Sequence, residues 1–213
     1  VSIIAQAAPA SAREWISPAA RALVSAAVAA VITFSAVHDA RLGLGALAAV
    51  AIVPPVVELA VRRGGTGGSE RVSLLVRLIA GVVAGLGAIV AAIVLPGIQV
   101  FVYLACGWAL VTGAAEGAAA IVARRRGRPF DGLIPGIVTV ALGLGVLLVP
   151  VNLRQETRLD NGAVAYLDAS VVVVGLFGAY AAVMAVYLAI SAASSRAGSG
   201  SRAAAGATGN EDR

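Results

Sequence analysis

Six apolar runs, each long enough to cross a bilayer, occupy most of this 213-residue chain. A hydrocarbon core about 30 Å thick needs roughly 20 apolar residues as helix, and only helices or closed barrels satisfy their backbone groups there. The runs cover residues 18–37, 42–61, 74–95, 98–123, 133–151 and 165–192. Strand-like alternation is absent, so the expected fold is all-α, a polytopic membrane protein of six transmembrane helices. The last run exceeds what the membrane requires and should begin or end outside the hydrocarbon. Hydrophobic residues make up 60% and charged residues 13% of the chain, and a mean hydropathy of +0.94 excludes an ordinary soluble domain.

The arginines between the runs give the expected orientation. All 16 basic residues are arginine, a bias we attribute to GC-rich coding. With a cytoplasmic N-terminus, the inner segments and adjoining helix ends hold Arg13, Arg21, Arg62, Arg63, Arg71, Arg77, Arg124, Arg125, Arg126, Arg128, Arg196, Arg202 and Arg213, against Arg41, Arg154 and Arg158 outside. The connections are short enough for the positive-inside rule to apply, which places both termini in the cytoplasm of a cell membrane. Trp15, Phe130 and Tyr187 then fall near the inner interface and Phe101, Tyr103 and Tyr166 near the outer one, with Trp108 deeper as a packing residue. A net charge of +5 would suggest nucleic acid in a soluble protein, but here the charges flank the spans, so no nucleic-acid partner is expected.

Residues 1–17 read as a cytoplasmic lead-in. Residues 1–12 lack the positively charged start of a secretory signal peptide, and the leading valine fits a non-ATG start or a fragment boundary. Residues 18–192 form the membrane domain, and residues 193–213, rich in Ala, Gly and Ser, read as a disordered cytoplasmic tail. Within the membrane domain the connections alternate. His38-Asp39-Ala40-Arg41 and Pro96-Gly97 close short outer turns, whereas residues 152–164 form a longer outer loop carrying Arg154, Glu156, Arg158 and Asp160. Three tandem helical hairpins, 18–61, 74–123 and 133–192, are the simplest organisation, with the third diverged.

Intramembrane charges are the candidate site. Arg21 and Glu58 lie equally far from the first turn, and Arg77 and Glu116 equally far from the second, so an antiparallel pair places each arginine level with a glutamate of its own hairpin. The expected ion pairs are Arg21 with Glu58 and Arg77 with Glu116. Such residues cost roughly 2.5–3.5 kcal/mol at the bilayer centre and less near the interface, so they face the bundle or find partners. They fit a proton- or ion-sensitive site, or salt bridges that pin the hairpins. Arg62, at i+4, offers Glu58 a second partner. Glu116, eight residues before Arg124, is the deeper and stronger functional candidate.

Small residues define the close contacts. Gly81 and Gly85, Gly113 and Gly117, and Gly132 and Gly136 have the four-residue spacing that lets helices approach, either within one chain or in a homo-oligomer. Pro54-Pro55 removes backbone donors one turn before Glu58 and should bend that helix.

Residues 78–126, with the Pro96 turn, the run Gly107-Trp108-Ala109-Leu110-Val111-Thr112-Gly113-Ala114-Ala115-Glu116 and the following arginine cluster, resemble the tandem membrane repeat of the HdeD-like acid-resistance proteins. The first hairpin matches weakly through Pro55 to Glu58, and the third least. Val31-Ile32-Thr33-Phe34-Ser35 and Gly175-Leu176-Phe177-Gly178-Ala179-Tyr180-Ala181-Ala182 are similar to an actinobacterial branch of that family. The resemblance implies an inner-membrane protein associated with acid stress.

An enzyme is not expected. Some small proteins of that branch are labelled acyl-CoA synthetases, but adenylate-forming ligases need a large soluble body and a charge-stabilising lysine, and this chain has neither. Gly64-Gly65-Thr66-Gly67-Gly68-Ser69 lacks the Gly-Lys-Ser/Thr ending of a nucleotide loop and reads as a linker. Cys106 is the single cysteine, within a span, so no internal disulfide or cysteine metal cluster forms. His38, the single histidine, reads as outer surface. No cofactor or metal is expected. The leading function is a non-enzymatic membrane protein acting by packing or by binding a membrane-protein partner. The alternative is a small proton-linked transporter or permease using Glu116.

Overall fold

The computed structural model describes residues 15–61, 68–126, 132–158 and 164–208, with side chains described for 15–61, 71–126, 132–156 and 166–197. Among the described residues six helices form: α1 (Ile16–Phe34), α2 (Ala40–Val61), α3 (Gly68–Val94), α4 (Ile98–Arg125), α5 (Leu133–Leu147) and α6 (Ala169–Thr208). Five of them are long and apolar enough to cross a membrane, with the crossing part of α3 running Arg71–Val94 and that of α6 Ala169–Ala197. The protein is a multi-pass helical membrane protein. The lead-in through residue 14, Arg62 and Arg63, Gly64 to Gly67, Arg128, Phe130, Asp160 and the last five residues lie outside the described residues.

Three stretches differ from the sequence reading. The fifth apolar run is helical for only 15 residues, about 22 Å at 1.5 Å per residue, which is short of the hydrocarbon core. Pro150 accounts for the stop, because a proline disfavours helix at the residue before it and donates no hydrogen bond. The chain instead tightens at Val149, whose N–H donates to Val146 O at 3.3 Å. Beyond it, the expected loop is an antiparallel hairpin of β1 (Arg154–Arg158) and β2 (Val164–Asp168), with Arg154 opposite Asp168 and Glu156 opposite Tyr166. Arg154 covers the Tyr166 ring diagonally, 5.4 Å from its centroid, a cation–π contact across the pair. The tail expected to be disordered continues α6 through Thr208. Its alanines, the strongest helix formers, outweigh three interspersed glycines.

The even-numbered helices form the centre. α2, α4 and α6 all touch one another, while α1 packs against α6 and α2, α3 against α2 and α4, and α5 chiefly against α4. Burial follows this order: half of the membrane window of α2 is covered, against 28% for α1. The closest packing is between α4 and α5, α1 and α6, and α2 and α3, so the bundle closes as a ring through α1 and α6.

Missing side chains and missing donors set the tightest contacts. Pro55 has no N–H to offer the carbonyl of Ala51. That carbonyl lies directly against Gly81 of α3, where an added Cβ would collide with it, and Gly85 one turn on takes the side chain of Ile52. At the other seam, a Cβ on Gly136 of α5 would come within 2.7 Å of Gly117 N and 2.9 Å of Gly113 O. A Cβ on Gly132 would make only ordinary contacts with Ala120 and Glu116, and one on Gly117 itself would meet nothing within 4 Å.

Candidate functional site: a buried charge cluster

The three central helices present equivalent positions to the bundle axis. Spacing of four residues returns a side chain to nearly the same helix face, and Val50, Pro54 and Glu58 of α2 repeat as Trp108, Thr112 and Glu116 of α4 and as Tyr180, Met184 and Leu188 of α6. All nine are buried. The carboxylate position is thus filled twice by glutamate and once by leucine. Two peripheral helices supply the countercharges, Arg21 from α1 and Arg77 from α3.

The four charges meet; of the expected pairs Arg77 reaches Glu116 only at 3.8 Å, and the shorter contacts join other partners. Arg21 grips Glu116 with both guanidinium nitrogens, Nη1 to Oε1 at 2.6 Å and Nη2 to Oε2 at 3.2 Å. Arg77 places Nη2 2.9 Å from Glu58 Oε2 and Nη1 3.8 Å from Glu116 Oε1. The closest contacts therefore join α1 to α4 and α3 to α2, rather than α1 to α2 and α3 to α4. Counting residues from a turn fixes depth along a helix but not direction around it, and the central placement of α2 and α4 turns both glutamates inward, where α3 reaches both. Glu58 is 5% and Glu116 9% exposed, so neither carboxylate is solvated enough to stand alone. Ser73 reinforces the same layer, donating from α3 to Ala115 O of α4 at 3.1 Å.

A cavity of about 40 Å3 lies beside the cluster, lined by Arg21, Arg77 and Glu116, by the hydroxyl residues Ser25, Thr112, Thr139 and Tyr180, and by apolar side chains of α2, α4 and α6. Thr139 donates to Pro135 O at 2.8 Å, so in its 3.1 Å contact with Tyr180 the phenol is the donor. This bond joins α5 to α6. Beyond Tyr180 the interior is aromatic, with Phe177 in edge contact with Phe101 and in tilted contact with Trp108. Phe101 was expected at the outer interface, yet it is fully buried, because Gly43 of α2 leaves room for its ring.

No family model, curated protein or solved structure matches this chain.

Among the described residues no group of three His, Cys, Asp or Glu side chains converges as a metal site. Cys106 is buried, and Asp39 beside His38 accepts from Leu42 N at 2.9 Å and caps α2. Asp168 does the same for α6, accepting from Ser170 Oγ at 2.6 Å and Val171 N at 3.0 Å. Those bonds, the serine first, then the backbone, hold its carboxyl below the ordinary aspartate value. The sequence reading missed Ser25, Thr139 and Tyr180 as companions of the charges. The signal was the four-residue recurrence that aligns Tyr180 with Trp108 and Val50.

Proposed function

We propose that this chain is a non-enzymatic integral membrane protein of HdeD-like type, built as three tandem hairpins with six membrane crossings and with both termini cytoplasmic. It acts by packing within the membrane or by holding a membrane-protein partner, and its placement in envelope or acid-stress biology rests on the family resemblance alone. The crossed Arg21–Glu116 and Arg77–Glu58 pairs carry this reading. A cluster of two cations and two anions satisfies itself, ties α1 and α4 and α2 and α3 together, and leaves no charge committed to a substrate. A cavity of about 40 Å3 is also far below the roughly 300–1,000 Å3 of small-molecule sites. The three equivalent positions on α2, α4 and α6 support the tandem organisation, with the short α5 completing its crossing through the turn that follows. The alternating arginines support the orientation.

A second reading, a proton-linked transporter using Glu116, is favoured by the row of hydroxyls beside that carboxylate. Purified protein in liposomes with an internal pH dye, followed between about pH 4 and 7, separates the two. The packing role predicts flux equal to that of empty liposomes, and reproducible crosslinks in native membranes. Flux through folded protein that disappears in Glu116→Gln would replace it with transport.

A further inference from the structure

The cavity is bounded differently at its two ends. At the charged end Arg21, Arg77 and Glu116 keep 16%, 11% and 11% of their side-chain surface open. Elsewhere Trp108 and Tyr180 line it, and behind them Phe101 and Phe177 meet edge to face with centroids 5.8 Å apart, both 0% exposed. Tyr180 closes on Phe177 at 5.9 Å and on Trp108 at 6.3 Å, so the aromatic layer is continuous from α4 to α6.

Between these ends the walls are mostly apolar but carry hydroxyls with unused hydrogen-bonding capacity. Thr112 spends its proton on Trp108 O at 2.6 Å and keeps its oxygen lone pairs. Tyr180 spends its own on Thr139 and likewise keeps its lone pairs. Ser25 is 4% exposed and lines the cavity, and its hydroxyl makes no hydrogen bond to protein among the described residues. A water needs about 10–15 Å3 of such space and two to four polar partners. Both conditions are met, with room for roughly three or four waters on that measure.

We propose that this cavity is a one-sided aqueous site, in which water and cations of its size, hydronium included, reach Glu116 from the arginine-rich face and are stopped by the aromatic layer. The ligand class follows from volume and lining: nothing larger than a few waters fits, and the hydroxyl oxygens and the carboxylate offer acceptors beside the donors of Arg21 and Arg77. Glu116 then exchanges with one compartment only. The inference requires the chain to cross a membrane and is independent of whether its role is packing or partner binding.

Silver ion, close to water in size and reactive toward thiols, tests it. In a Cys106→Ala background, Ser25→Cys is exposed to silver in right-side-out and in inside-out vesicles, and the remaining thiol is labelled with a fluorescent maleimide after denaturation. Silver applied to the face carrying Arg71 and Arg124–Arg126 should abolish labelling, and silver applied to the opposite face should leave it intact. Thr112→Cys, a near-isosteric change on the adjacent wall, should repeat the pattern and serves if Ser25→Cys does not fold. Loss of labelling from the opposite face means a continuous path and overturns the proposal. Protection from both faces in both variants means a dry cavity and overturns it equally.

Discussion

Arg21 and Glu116, 95 residues apart in sequence, form a two-pronged ion pair that joins α1 to α4. Removing one partner of a buried pair leaves the other charge unmatched, which costs about 3–5 kcal/mol, whereas removing both costs much less. Double-mutant cycles with leucine at Arg21 and Glu116, and separately at Arg77 and Glu58, should therefore show strong coupling. Unfolding in mixed micelles measures it. Coupling is expected to be weaker for Arg21 with Glu58 than for either crossed pair, and additive losses at Arg21 and Glu116 would discard the pair.

The glycines divide by what a methyl group would strike. Gly81→Ala drives a Cβ into the carbonyl of Ala51, while the same change at Gly107 meets nothing within 4 Å. The first should lower stability by about 1–3 kcal/mol. The second should be neutral or slightly stabilising, since alanine favours helix. Equal thermal shifts for the two variants would contradict the contact between α2 and α3.

Asp168 gives a pH signature outside the membrane. Its folded carboxyl is held below the ordinary value by the Ser170 and Val171 hydrogen bonds. The resulting stabilisation is present above the unfolded value of about 3.9 and fades as pH falls through the folded one. Asp168→Ala should cost about 1 kcal/mol near neutrality. Stability curves of the native protein and of Asp168→Asn should converge on acidification, and a gap that persists below that range would assign the effect elsewhere.

Leu188 occupies the position on α6 that Glu58 and Glu116 hold on α2 and α4. Leu188→Met should cost less than about 1.5 kcal/mol. Leu188→Glu adds a third carboxylate to two arginines and should cost several times more at neutral pH, as read by thermal unfolding. If Leu188→Gln is as damaging as Leu188→Glu, polarity rather than charge balance is responsible.

Long-range order in this protein was only partly visible in its residues. Apolar run lengths reported five of the helices, and matched residue counts put Arg21, Glu58, Arg77 and Glu116 in one layer. Partner choice was hidden, because it depends on the rotation of each helix and on α2 and α4 lying at the centre. The short α5 was hidden by hydropathy, which runs on through Val149 while Pro150 ends the backbone ladder. The β-hairpin escaped because Arg154, Gln155, Glu156 and Thr157 carry no apolar alternation, and their pairing is set by Tyr166 and Asp168 opposite. The helical tail escaped because its composition is that of a flexible linker as well as of an alanine-rich helix.

Crossed pairing also imposes an order of events during synthesis. At about 5–20 residues per second, the 95 residues that separate Arg21 from Glu116 take on the order of 5–20 s to emerge. Through that interval Arg21 lacks the carboxylate it grips in the finished fold, and Glu58 of the next helix, in the same layer, is the countercharge already made. Arrival of the fourth helix then brings an exchange of partners, in which Arg21 takes Glu116.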